Sequence, residues 1–176
     1  MSPERLKFST RRATPSDARA LHELQRLIYD EERWFVGDGP PSESVLAARI
    51  RALDANMSLW LVASQRQARD ELCAWLELHR LPSTRLRHVA NLTLAVSPRW
   101  RRHGLGRGLL ASGFDWAATV GVRKVSLNVR ANNEAAIELY RSEGFVLEGR
   151  ERRQIRTEEG FEDNLIMARF LESELN

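Results

Sequence analysis

The chain has 176 residues, 43% hydrophobic and 29% charged, with 27 Lys+Arg against 24 Asp+Glu and a net charge of +3. That length suits one domain over 1–176 with a substantial core, and so modest a charge permits nucleic-acid binding without indicating it. One cysteine, Cys73, excludes an intramolecular disulfide, and no apolar run approaches the roughly 20 residues of a membrane span.

The opening Met1–Arg12 is charged and lacks a signal-peptide core, so a cytoplasmic protein is expected. Leu6 to Arg12 alternates as a short strand. Thr14-Pro15-Ser16-Asp17 reads as a helix start, with Thr at the N-cap and Pro in the first turn. Leu21, Leu24, Leu27 and Ile28 form the apolar face of a helix running to about Asp30. Trp34 to Pro41 is a loop carrying two large aromatics, and a second helix spans Ser44 to about Asp54. Strands follow at Leu59–Ala63 and Leu72–Arg80, separated by a polar turn from Gln65 to Asp70. Val89 to Val96 is the central strand. A turn at Ser97-Pro98 leads into Arg101-Arg102-His103-Gly104-Leu105-Gly106-Arg107-Gly108, which opens a helix from Leu105 to Val120. Lys124–Val129 is a strand, and Asn133–Glu143 is a helix stopped by Gly144. Phe145–Arg156 and Phe161–Phe170 close the chain as strands. The order β-α-α-β-β-β-α-β-α-β-β predicts an α/β domain, a mixed sheet with helices on both faces.

Closely spaced glycines between a strand and a helix let main-chain N–H groups converge on one point, where the helix N-terminus adds partial positive charge. The loop after the central strand is therefore an anion site, most simply for a phosphate or pyrophosphate. Its spacing decides among ligands. No Lys-Ser or Lys-Thr follows, as a P-loop needs, and Leu109 stands where a dinucleotide fingerprint has its third glycine. The segment does fit R-x-x-G-x-G as Arg101-x-x-Gly104-x-Gly106. A second motif, N-x-x-A-x-x-L-Y-x-x-x-G-F, runs from Asn133 through Tyr140 to Phe145.

Together, in this order, the two motifs resemble those of the GNAT-type N-acetyltransferases, specifically from about Leu72 to Met167. Glu148-Gly149-Arg150 and Phe161-Glu162-Asp163 resemble a bacterial branch acting on small amines, amino acids or protein N-termini. The resemblance implies an acyltransferase that moves acetyl from acetyl-CoA to a primary amine by direct attack, with no metal; it also admits a homodimer. It implies that the fourth and fifth strands splay, that main-chain groups of Leu94, Ala95 and Val96 meet the pantetheine arm, and that the Leu94 N–H faces the thioester oxygen. Arg101, Arg102, His103, Gly104, Leu105, Gly106 and Arg107 would hold the pyrophosphate, Asn133 the lower pantetheine, and Tyr140 would protonate the leaving thiolate. Asn133 and Tyr140, seven residues apart, share a helix face.

The base is open. Ala90 stands where several relatives carry a strand glutamate, leaving Glu77 and His88 as strand-borne candidates. Trp34 and Phe35 are expected to wall the acceptor pocket, and Cys73 to be a small core residue. Two readings compete: a CoA-binding regulatory domain without turnover, and a basic nucleic-acid-binding module built on Arg99–Arg107. The second lacks interleaved aromatics beyond Trp100.

Overall fold

In the computed structural model, which describes residues 8–31, 34–37, 39–66 and 68–171 (backbone only at 68–70), the strands pair into one sheet. They are β1 (Phe8–Arg12), β2 (Ser58–Gln65), β3 (Ala68–Arg80), β4 (Val89–Val96), β5 (Lys124–Arg130), β6 (Val146–Thr157) and β7 (Gly160–Phe170). The helices are α1 (Ala18–Tyr29), α2 (Glu43–Arg51), α3 (Leu105–Thr119) and α4 (Glu134–Ser142). The sheet order is β1-β2-β3-β4-β5-β7-β6, antiparallel throughout except for β4 and β5. This is the expected α/β order and sheet.

The boundaries that differ most are those of β3 and α2. β3 begins at Ala68, not Leu72, because an irregularity around Ser64 lets Gln65 pair with Ala68 and shortens the polar turn. α2 stops at Arg51, short of Asp54, whose carbonyl accepts from the Met57 and Ser58 amides and turns the chain into β2. The expected strand start at Leu6 lies outside the described residues.

Helices cover both faces. Leu21, Leu24 and Ile28 of α1 and Leu46 and Ile50 of α2 pack on Trp60, Val62 and Trp75. Leu105, Leu109 and Leu110 of α3 and Ile137 and Tyr140 of α4 pack on Leu76, Leu78, Leu92 and Leu127 on the opposite face. A fully buried leucine or isoleucine contributes about 1.5–3 kcal/mol through lost water contact. Arg11 anchors the start of α1 by a two-pronged pair with Asp17 at 2.6 and 2.7 Å. The Thr14 amide and hydroxyl donate to the same carboxylate, at 2.7 and 2.9 Å.

The feature that creates a site is the limited pairing of β4 with β5. Their register runs only from Val89↔Lys124 to Asn91↔Ser126, so beyond Asn91 the strands part. Main-chain groups on an antiparallel strand turn alternately toward each neighbour. The Ser97 amide donates to Cys73 O and Leu81 donates to Val89 O, so the odd-numbered residues of β4 bond to β3. Leu94 and Val96 therefore present their main-chain groups to the open side.

Candidate active site

The short turn Pro98–Trp100 carries the chain out of β4, and Gly104 admits it into α3. Gly104 holds φ +81° and Arg102 φ +67°. The left-handed region costs a residue with a Cβ about 1–2 kcal/mol, so Arg102 stores strain there. Such turns aim successive amides inward. Among the described residues no amide from Arg102 through Arg107 finds a protein acceptor, and the first bond of α3 runs from Gly108 N to Gly104 O at 3.0 Å. This run of donors at a helix N-terminus has the geometry to hold a diphosphate-sized anion.

The side chains of Arg101, His103 and Arg107 are engaged by protein partners. Arg101 does not project to a ligand: its Nε donates to Val96 O at 3.1 Å, and its Nη atoms donate to Glu31 at 3.0 and 2.5 Å. Arg107 is drawn to the end of α4, with Nε on Glu143 at 2.6 Å and Nη2 on Ser142 Oγ at 3.3 Å. His103 donates from Nδ1 to Arg101 O at 2.8 Å and sets its ring edge-on to Phe8 and Trp100. Arg102 stays exposed, 3.7 Å from Glu138. Carboxylates thus meet these guanidinium groups, and the main chain is left as the anion's donor set.

Leu94, Val96 and the N-terminal turn of α3 come together, whereas Ala95 turns away from them. Its main chain pairs with Trp75 of β3 and its methyl is buried on the α1–α2 face, so it offers the cleft nothing. The Val96 carbonyl is taken by Arg101. Leu105 is buried and contributes its amide alone. A Cβ on Gly106 would lie 2.9 Å from Leu139 Cδ2 and 3.7 Å from Leu94 Cδ2, which puts α3, α4 and β4 at one point. Gly106 therefore serves helix packing, whereas Gly104 serves backbone conformation. We expect Gly106→Val to lower the melting temperature by overpacking, about 1–3 kcal/mol, and Leu139→Ala in the same chain to recover part of it in a thermal scan.

On α4, Asn133 is the N-cap: its Oδ1 accepts from Ala136 N at 3.2 Å, leaving Nδ2 for other partners. Tyr140 is buried against Phe145, ring centroids 5.4 Å apart. Among the described residues nothing hydrogen-bonds its hydroxyl, so it is not a core tyrosine with a paired phenol. Burial pushes its pKa well above the ordinary value, keeping it neutral.

The opposite face of the cleft carries Glu77, aligned with Thr93 of β4, the residue before Leu94. His79 Nε2 lies 3.1 Å from the Glu77 carboxylate, and His79 Nδ1 lies 2.9 Å from Ser58 Oγ. A carboxylate oxygen accepts here, so the His79 Nε2–H donates to Glu77. The i+2 spacing of Glu77 and His79 on one strand puts both side chains on one face, a signal the sequence carries. His88 is not brought here. It is exposed in the turn at the paired end of β4, its carbonyl held by the Arg123 and Lys124 amides, about 20 Å from Leu94 along the strand. Phe35 lies between Tyr29 and Trp75, at 5.4 and 5.7 Å, so its loop lies over the same face as Glu77. An open cavity of about 850 Å³ beyond α4, lined by Ile137, Arg141 and Arg150 among others, holds none of the residues expected at the site.

The model of the acetyltransferase (GNAT) family matches residues 20–145, most of the chain. The chain belongs to that family. It is 34% identical over 134 residues to the N-alpha-acetyltransferase RimI of Mycobacterium tuberculosis, covering 76% of this chain and 79% of that one. It is 47% identical over 75 residues to the [ribosomal protein bS18]-alanine N-acetyltransferase of Salmonella typhimurium; that match covers 43% of this chain and about half, 51%, of the relative. In fold it is similar to a putative acetyltransferase of Salmonella typhimurium solved with its cofactor acetyl-CoA, with a TM-score of 0.85, 19% identity and 97% of each chain covered.

As a GNAT protein, the chain has a site that fits acetyl-CoA on its own geometry. The amides of Arg102–Arg107 suit the pyrophosphate, and the free main chain of Leu94 in the splay suits an amide-bearing arm. Among the described residues no helix is long and apolar enough to cross a membrane, and no cluster of His, Cys, Asp or Glu could hold a metal ion.

Proposed function

We propose that this GNAT protein transfers acetyl from acetyl-CoA to the α-amine of a protein or peptide N-terminus. The observation that carries the reading is the run of main-chain donors, Arg102–Arg107, with no acceptor among the described residues, next to the splayed strand whose Leu94 faces the open side; a neutral Tyr140, whose hydroxyl has no hydrogen-bond partner among the described residues, adds to it. The similarity to N-terminal acetyltransferases supports the choice of acceptor over a small amine. So do the half-buried rings of Tyr29 and Phe35, backed by the buried Trp75, which give a peptide chain a surface to lie on.

Acetyl-CoA, when bound, supplies an acetyl thioester whose thiolate is the leaving group. The residues then have separate tasks. The Leu94 N–H donates to the thioester oxygen as negative charge builds there. The Tyr140 phenol donates toward the departing sulfur. The proton lost by the amine goes to Glu77 through water. His79 holds the Glu77 carboxylate in place by its Nε2–H. Glu77→Gln should lower kcat about tenfold with little change in CoA affinity, a milder loss than that of a sole base because water substitutes in part.

The test is free-thiol release with acetyl-CoA and a set of acceptors: peptides with free and blocked N-termini, amino acids and polyamines. The reading expects kcat/KM to be highest for free N-terminal peptides and absent for blocked ones. Preference for amino acids or polyamines would move the acceptor class. CoA binding without thiol release for any amine would favour the regulatory domain.

A further inference from the structure

The Arg101–Glu31 pair joins residues seventy positions apart and is half-buried, with side-chain exposures of 37% and 19%. Its two ends belong to different parts of the site. Arg101 follows the end of β4 and also holds the Val96 carbonyl through Nε, fixing the end of the strand whose Leu94 faces the cleft. Glu31 lies just past the end of α1, where the loop bearing Trp34 and Phe35 begins. The Trp34 Nε1–H donates to the same Glu31 carboxylate at 3.2 Å. Phe35, one residue on, stacks on Trp75 beside Glu77 and receives Arg130 Nη2 on its carbonyl at 3.5 Å.

We infer that Arg101 and Glu31 form a clasp through which the cofactor loop positions the acceptor-side loop. Arg101 is thus a positioning residue for the acceptor, not a ligand of the phosphates. Three features support this. The fork donates to both oxygens of one carboxylate, the geometry that most restricts orientation. The guanidinium contacts β4 main chain and α1-loop side chain at once, so movement of one is transmitted to the other. The amides of Arg102–Arg107, the groups left for the anion, begin at the very next residue. Occupation of those amides should fix Arg101, and Arg101 should fix Glu31 and Trp34. A peptide acceptor would then meet a formed wall once the cofactor loop is filled.

The inference rests on the acetyl-transfer reading for its kinetic arm but has a second arm that does not. In the kinetic arm, Glu31→Gln and Arg101→Lys should each raise the KM for an N-terminal peptide about tenfold while the Kd for acetyl-CoA changes less than about threefold. The double variant should be little worse than either single one, because both remove the same link. In the second arm, CoA alone is titrated and the indole N–H resonance of Trp34 is followed, assigned with Trp34→Phe. It should shift on CoA binding in the parent chain and stay fixed in Glu31→Gln and in Arg101→Lys. A parent chain inactive on every amine but showing this coupled shift would remove the acetyl-transfer reading and keep the clasp. A tenfold loss of CoA affinity with acceptor KM unchanged would make Arg101 a phosphate ligand and overturn the clasp. A Trp34 signal indifferent to CoA in the parent chain would overturn it too, as would variants that lower only the melting temperature.

Discussion

Tyr140→Phe should lower kcat about a hundredfold while CoA affinity and melting temperature stay close to those of the parent chain. The stability half of this follows from the structure. A tyrosine whose hydroxyl bonds a protein partner loses about 1 kcal/mol on becoming phenylalanine, but no described residue bonds the Tyr140 hydroxyl, and the ring packing on Phe145 survives the change. The kinetic half follows from burial. With its pKa driven up, the phenol carries its proton at any working pH, so it is always available as a donor. The same burial makes it a weaker acid than a thiol of pKa near ~8.5, so a strong hydrogen bond to the departing thiolate is favoured over complete transfer. A donor with a more acidic leaving thiol should therefore shrink the Tyr140→Phe defect, and rates measured with both donors check this. An equal defect with both would leave the hydroxyl without a role at sulfur.

Burial of that phenol also predicts a pH effect on stability. Unfolded, Tyr140 ionises near its ordinary value of about 10; folded, it resists until higher pH. Its contribution is whole below about pH 10 and is lost as pH climbs toward the folded value. Denaturation midpoints above pH 10 should accordingly fall more steeply in the parent chain than in Tyr140→Phe.

Gly104→Val should weaken CoA about tenfold to thirtyfold, the second large effect. Nothing lies within 4 Å of where its Cβ would be, so crowding is not the reason. The reason is φ +81°, which costs a residue with a side chain about 1–2 kcal/mol and more when it is β-branched. The free loop would relax away from this conformation, and binding would have to restore it, so the strain enters Kd directly. Arg102→Ala, by contrast, removes an exposed charge 3.7 Å from Glu138 and should cost about threefold or less. Calorimetric titration of both variants with CoA separates a main-chain cradle from an arginine cluster.

Much of the site was legible in the residues. Asn133 to Phe145 carried its helix and its glycine stop in local pattern, and Val89–Val96 appears with the boundaries expected of it. What local pattern could not show was which charge meets which. Arg101 and Glu31 are seventy residues apart, and Arg107 and Glu143 thirty-six, so no local pattern marks these pairs. The pairing parity of β4 was equally hidden, because Leu94, Ala95 and Val96 differ only in which neighbour their main chain faces. The early start of β3 depended on an irregularity opposite Ser64 that no apolar pattern marks.

The main-chain cradle itself can be observed amide by amide. In a ¹⁵N-labelled chain titrated with CoA, the resonances of Arg102 through Arg107 and of Leu94 should move most, downfield as their N–H groups take anionic and carbonyl acceptors. The resonance of Ala95, bonded to β3, should stay nearly still. Shifts centred instead on the arginines of β6, with Arg102–Arg107 unmoved, would contradict the account.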